Sequence, residues 1–345
     1  MNDQNAKRQN KAKKGVLPSA TPVDAKQLSR AEAELGIKSE DLASLYLLES
    51  IRGFGPQKFK EIHGANVRVA EILKDPGRLP IEGKRGEAFR AALKGITEET
   101  RITRRHWAQQ QILTAHKLQA NILTYHHPAY PRSVYDSNNP IPILYVRGKL
   151  QLLKNSKTVA CVGSRKIYSP YSRLHAEFAE SAVRLGFTVI SGFALGADSI
   201  GHRAAFETGG STICIMPCGL DRPFPPENKP LWESFLASQT AAFVTEFPFG
   251  RRAASLTLRK RNKLIVAFAQ GVLVSQSSEK GGAMNAYKFA REQRKPVATF
   301  VDDGKPGTSG NKLISRERLL MDPVFPTNGG DVEFEIWLRQ LSSSI

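Results

Sequence analysis

The chain has 345 residues, with 50 Lys and Arg against 32 Asp and Glu, giving a formal charge of +18. That length suits one large domain with a smaller companion, and so basic a surface favours a polyanion, whether DNA, RNA or anionic lipid. Cys161, Cys214 and Cys218 sit in or beside apolar runs with no Cys-x-x-Cys pair, and no apolar run nears a membrane span, which argues against a disulfide framework, a zinc site and a spanning helix.

Residues 1–28 are polar and basic, with Lys7, Arg8, Lys11, Lys13, Lys14, Lys26 and Arg30 in the first thirty positions against Asp3 and Asp24. They hold too few large apolar groups to repay the entropy of ordering, so a disordered basic tail is expected. No apolar leader is visible there, so together with the unpaired cysteines the expectation is a cytoplasmic protein.

From 29 to 120 the periodicity is helical. Leu42, Leu45, Leu48 and Ile51 recur at three-residue spacing, Gly53-Phe54-Gly55-Pro56 breaks the run, and Phe59 and Ile62 resume it. Two helices about such a turn form a helix-hairpin-helix candidate, whose glycines would let backbone N–H groups approach a phosphate; a plain helical hairpin with a Gly-Pro stop fits equally. Further helices are predicted at 84–94 and 98–119, before a strand at 121–125. Residues 126–150 form a proline-rich, extended lead-in that ends in the apolar run Ile143 to Gly148.

Between 157 and 302 strand and helix alternate. Apolar runs at 158–163, 187–191, 212–217, 241–246, 271–275 and 297–301 are separated by helix-like stretches at 170–185, 197–208, 228–238, 259–269 and 282–293. Runs this apolar require a sheet covered on both faces, so the fold class is α/β: an extended Rossmann-like, doubly wound, mainly parallel sheet over 121–315, preceded by the small all-helical domain. Residues 316–345 are expected to be a C-terminal extension without a winged helix.

Candidate ligand-binding residues cluster where strands end. Gly163-Ser164-Arg165 closes the first parallel strand, so a glycine, a hydroxyl and a guanidinium sit where an anion can meet a following helix N-terminus. Gly-x-Gly-x-x-Gly is absent at this point, which disfavours a bound dinucleotide. Gly192 and Gly196 turn the chain after the second strand, where Asp198 reads as a helix cap and His202 as a structural hydrogen-bonding residue. Beyond Glu246, a run of Arg251, Arg252, Arg259, Lys260, Arg261, Asn262 and Lys263 has the density of an electrostatic footprint. Lys280, Gly281 and Gly282 form another turn into a helix that could cradle a phosphate, or simply cap that helix. No nucleophile is arranged with a base, so no catalytic residue, metal or cofactor is assigned.

Taken in order, Tyr130-Pro131, Leu144-Tyr145 before Gly148, Val162 to Arg165, Ser191-Gly192 through Ala194, Gly196, Asp198 and His202, Gly219-Leu220-Asp221, Pro225 with Asn228, Glu246 with Pro248 and Gly250, Arg261-Asn262, and Gly310-Asn311 with Leu313-Ile314 resemble the DprA/Smf DNA-processing proteins. The match covers about 125–315, and the helices before it resemble the sterile-alpha-motif or helix-hairpin-helix domain such proteins often carry. The resemblance implies a homodimeric single-stranded DNA-binding protein of DNA processing and recombination. It further implies natural transformation, a RecA-like recombinase as partner and no catalytic reaction in that role, while the chain's departures from the family suggest a defence-related variant. It implies that Arg165, Arg261 and Lys263 meet phosphates while Gly163, Ser164 and Asn262 shape the pocket. The chain departs from the family at Leu258 and Arg259, where an aromatic and a proline are common, and at Gln276, Gly281-Gly282 and Asn285. An enzyme or sensor for a nucleotide-derived small molecule at the same sheet edge is the rival reading.

Overall fold

Apolar runs separated by amphipathic ones dictate the layering, and the computed structural model, which describes residues 23–328 and 330–343, shows how they stack. Six helices come first: α1 (Ala25–Leu35), α2 (Ser39–Glu49), α3 (Pro56–Gly64), α4 (Val69–Lys74), α5 (Gly83–Lys94) and α6 (Glu98–Lys117). The chain then runs β1 (Ala120–Thr124), α7 (Arg132–Tyr135), β2 (Ile143–Gly148), β3 (Thr158–Val162), α8 (Tyr171–Arg184), β4 (Thr188–Ser191), α9 (Ala197–Glu207) and β5 (Thr212–Ile215). It continues through α10 (Lys229–Ala237), β6 (Ala241–Thr245), α11 (Ser255–Phe268), β7 (Gly271–Val274), α12 (Ala283–Glu292), β8 (Val297–Phe300), α13 (Ser309–Arg316), β9 (Val324–Phe325) and α14 (Asp331–Ser343).

Among the described residues nine strands make one sheet in the order β1-β2-β6-β5-β4-β3-β7-β8-β9. Strands β3 to β9 are parallel, whereas β2 runs antiparallel to both β6 and β1. The α/β class with a mainly parallel sheet therefore stands, and the lead-in strand Ile143–Gly148 extends it by one antiparallel step. Chain order reverses at β3, which has β4 on one side and β7 on the other. At such a switch point the loops leaving neighbouring strands diverge to opposite faces and leave a crevice.

The helical part is welded to the sheet. Phe54, Phe59 and Phe89 belong to the same apolar cluster as Tyr145, Phe193 and Phe243, and the Tyr46 and Tyr145 hydroxyls share a hydrogen bond of 2.9 Å. The Gly53–Pro56 turn spends its aromatic inward: Phe54 is 4% exposed and packs edge-on against Phe59 and Phe89. Its N–H donates to the Ile51 carbonyl at 3.0 Å, so that amide serves the turn itself. Helix α1 starts at Ala25 with the Asp24 carboxylate capping Lys26 N–H. Positions 25–28, expected in the tail, are thus helical, and the rest of that expectation, over 1–22, lies outside the described residues.

The segment after 315 completes the sheet. Strand β9 pairs parallel with β8, and Phe334, Trp337, Leu338 and Leu341 of α14 bury against Phe178 and Phe325. All three cysteines are buried and free. No helix among the described residues is long and apolar enough to cross a membrane.

Two fully buried histidines under the sheet edge tie stability to pH. Burial pushes His175 down to about 4, and burial together with the nearby Arg261 charge pushes His202 down to about 3, while His202 Nδ1 shares a 2.6 Å hydrogen bond with Thr212. Unfolded, each takes a proton near pH 6.5. Below that pH the unfolded chain binds more protons, so their contribution falls with pH until the folded groups titrate; above it there is none. Urea unfolding at pH 7.5 and 5.5 should therefore differ by about 3 kcal/mol from this pair, following the linkage relation. A His202→Gln variant should lose about half of that difference, and an unchanged difference would refute the assignment.

Candidate functional site

The crevice at the switch point is a cavity of about 560 Å³. Its floor comes from the end of β3, one wall from the β4–α9 loop at Ala194 and Asp198, another from α11, and the last from Ser277 to Ala286, where β7 leads into α12. Gly163, Ser164, Arg165, Arg259, Arg261, Asn262, Gly281 and Gly282, all expected at the site from sequence, line it together.

Several of these positions are dictated by packing. A Cβ at Gly163 would lie 2.5 Å from Ser275 Oγ and 2.8 Å from Ala197 Cβ. Gly196 adopts φ +78°, and its Hα edge meets the Ser164 and Arg165 carbonyls too closely for any side chain. The β3 and β4 loops therefore lie backbone against backbone, and Ala197 N–H donates to Ser164 O at 3.1 Å. Arg165 projects from that junction. Its side chain is exposed, lines both this cavity and the smaller one beside Phe193 and Phe224, and has no carboxylate partner among the described residues.

The helix terminus at the cavity is not the one expected. Tyr168 N–H donates to Gln276 Oε1 at 3.0 Å and carries the chain toward the β7–α12 loop before α8 begins. No residue of α8 lines the cavity; the first turn of α12, at Ala283, Asn285 and Ala286, does. Asn311, fully buried, holds that loop by accepting from Ser277 N–H and donating to Ser275 O and Phe300 O.

Helix α11 starts at Ser255, four residues before the position expected, because Thr257 Oγ1 accepts from Ala254 N–H at 2.8 Å and closes the first turn. A run that reads as one basic cluster is consequently wound around a cylinder of 3.6 residues per turn. Arg259 faces the cavity. Arg261 and Asn262 point inward at 7% and 8% exposure. Lys260 and Lys263 face a separate cavity of about 300 Å³ with Glu49, Glu246 and Tyr46, where Lys263 Nζ lies 5.2 Å over the Phe289 ring.

Arg261 is therefore a buttress. Its guanidinium donates to the Gly192 and Ile215 carbonyls, to Asn262 Oδ1 at 3.0 Å and to Asp198 Oδ2 at 3.4 Å. The Asp198 carboxylate also accepts from Ala194 N–H at 3.1 Å, on the same Oδ2 atom that meets Arg261. Burial lowers the Arg261 pKa and Asp198 opposes the shift. Gly192 lines the smaller cavity, and a Cβ there would fall 1.6 Å from the Arg261 guanidinium; the glycine exists to admit this arginine. Asn262 donates to Gly282 O at 3.2 Å, joining α11 to the start of α12. The expectation that Arg261 and Lys263 meet phosphates gives way to this geometry: one is spent on carbonyls and a carboxylate, the other lies on the far flank of α11.

Arg251, Arg252 and Lys280 are exposed and do not line the cavity. Ser255, Ser277, Ser278 and Asn285 do; Ser255 escaped sequence reading because it depended on where α11 begins. The turn glycine Gly281 is required, since a Cβ would meet Ser277 Oγ at 2.4 Å. Among the described residues no group of three or more His, Cys, Asp and Glu is placed to hold a metal ion. His202 Nδ1 is engaged with Thr212 at 2.6 Å and lies 3.7 Å from the sulfur of Cys214, a thiol that burial holds well above its ordinary pKa and away from the cavity lining.

Comparison with known proteins places this architecture. The chain is 31% identical to Protein Smf of Synechocystis over 191 residues, 54% of this chain and 48% of that protein. It is 31% identical to Protein Smf of Escherichia coli over 193 residues, 56% and 51%. Against the DNA processing protein DprA of Streptococcus pneumoniae it is 29% identical over 210 residues, 60% and 71%. The chain thus spans about half the length of the first two of these relatives. The solved structure of DNA processing protein A from Streptococcus pneumoniae superposes with a TM-score of 0.65 at 21% identity, covering 87% of this chain and 98% of that one. That of DNA processing protein A from Helicobacter pylori, solved for its single-stranded DNA binding mode, gives 0.55 at 22%, covering 66% and 97%; both likenesses concern the fold. The family model for DNA recombination-mediator protein A matches residues 121–318, the whole sheet up to β8 with α13, and the chain belongs to that family.

Proposed function

We propose that this protein binds single-stranded DNA in the switch-point cavity and acts in DNA processing and recombination without catalysing a reaction itself. The observation that carries the reading is Arg165, an exposed guanidinium without a carboxylate partner among the described residues, set between Arg259, the hydroxyls of Ser164 and Ser278, and the first turn of α12. Such groups grip phosphate oxygens. Asp198, the one carboxylate lining the cavity, is 6% exposed and holds Arg261 and Ala194 N–H through Oδ2, so the rival reading would have to engage a ribose through its Oδ1. The helical part over 29–120 and the sheet domain from 121 act as one body in this reading. A homodimer and a RecA-like recombinase as recipient of the strand belong to it through the family relationship, and a defence or transformation pathway is the setting to test.

Oligothymidylate binding measured from low to moderate salt is the test. Three or four phosphates at Arg165, Arg259 and the α12 turn should give a slope of log K on log salt of about −2 to −3. A flat response, or a mononucleotide that binds more tightly than the oligonucleotide, would overturn the reading.

A further inference from the structure

We propose that a strand leaving the cavity continues over the helical layer, along a basic track made by Lys260 of α11, Arg251 and Arg252 of the loop after β6, and Arg104 of α6; this rests on the cavity being a single-stranded DNA site. The track starts one residue from Arg259, on the opposite flank of α11 from the cavity.

Three side-chain anchors hold its parts together. Gln111 of α6 accepts from Phe249 N–H at 2.9 Å and donates to Phe249 O at 3.4 Å, fixing α6 to the segment that carries Arg251 and Arg252. Asp221 accepts from Gly250 N–H at 2.9 Å and the Arg251 carbonyl accepts from Gly219 N–H at 2.9 Å, so that loop is pinned from the other side. Tyr46 packs edge-on against Trp107 at 4.6 Å, and Arg104 lies over the same indole at 5.2 Å. Arg104 precedes Gln111 by seven residues, two helical turns, and so shares its face of α6.

The charges around the track are unbalanced. Glu49 and Glu246 face it, and burial raises both carboxyl pKa values, opposed by Lys260 at each and by Arg104 at Glu49; Asp221 is already paired with Arg222. Arg104, Arg251, Arg252, Arg259 and Lys260 form no ion pair within 4 Å among the described residues. Some exposed arginines elsewhere are paired along their own helices, as in Arg30 with Glu34, Arg132 with Asp136, Arg173 with Glu177 and Arg339 with Glu335, while Arg203, Arg294 and Arg316 are exposed singly on other parts of the surface. What sets the track apart is the gathering of its five unpaired cations on neighbouring segments beside the cavity, a charge density that a polyanion would complete.

The test compares oligothymidylates of about 6 and about 25 nucleotides, one near the lower end of the site sizes of single-strand-binding modules and one beyond their upper end. Arg104→Ala with Arg252→Ala should weaken the longer strand 3- to 10-fold and reduce its salt slope by about 1.4, leave the shorter one unchanged, and be rescued in part by Arg104→Lys with Arg252→Lys. Because Arg104 packs on Trp107, Arg252→Ala with Lys260→Ala, both exposed, repeats the comparison without touching that contact. Equal loss at both lengths, or none at either, overturns the track while the cavity reading survives; failure of the unaltered protein to bind either strand overturns both.

Discussion

Replacing Arg261 with alanine is expected to destabilise the fold by about 3 to 5 kcal/mol, the usual cost of stripping one partner from a buried ion pair. The variant would leave Asp198 charged and buried, and the Gly192 and Ile215 carbonyls without their donor. Urea unfolding should show a lower midpoint at an unchanged slope. Two companions separate the causes. Arg261→Met with Asp198→Asn should recover part of the loss, because the uncompensated charge is removed with its partner. Gly192→Ala should produce a loss of the same order in a chain that keeps both charged groups, since its Cβ would occupy the guanidinium's place. A change below about 1 kcal/mol for Arg261→Ala, well short of the buried-pair cost, would show that the pair is not structural.

Arg165→Ala should do the reverse. The side chain is exposed and unpaired among the described residues, so stability should stay within about 0.5 kcal/mol. Loss of a charge-assisted hydrogen bond to phosphate, worth about 1.5 to 3 kcal/mol, should weaken oligothymidylate binding about 10- to 100-fold. One phosphate contact fewer should also lower the salt slope by about 0.7. Calorimetric melting and anisotropy titration on the same preparation separate the two arginines: Arg261 moves the melting temperature, Arg165 moves the affinity. Unchanged binding by Arg165→Ala would remove the main support for a polyanion in the cavity.

These two residues show where reading a sequence succeeds. Arg165 comes just after Gly163 and Ser164 at the end of β3 and Arg261 precedes an asparagine within α11, and both have the chemistry of a phosphate ligand. Only burial distinguishes them, and burial depends on where α11 starts. Thr257 settles that start with one local hydrogen bond, and along the helix successive side chains then stand about 100° apart, so neighbours in the run reach different surroundings. Ser255 and Arg259 gain the cavity, while Lys260 and Lys263 are delivered to its opposite flank.

The alternation of apolar runs with amphipathic stretches determined the parallel sheet, because strands buried on both faces must be apolar throughout while their covering helices need only one apolar side. It likewise placed Gly163, Ser164 and Arg165 at a strand end. Strand order, and hence the switch point beside β3, was decided by tertiary packing, as was the use of α12 in place of α8 at the cavity, since neither follows from local periodicity. The tertiary structure also decided which arginine faces solvent and which is consumed by Asp198 and two carbonyls: a guanidinium's role is set by the groups around it, and those come from segments as distant in sequence as Gly192, Ile215 and Asp198.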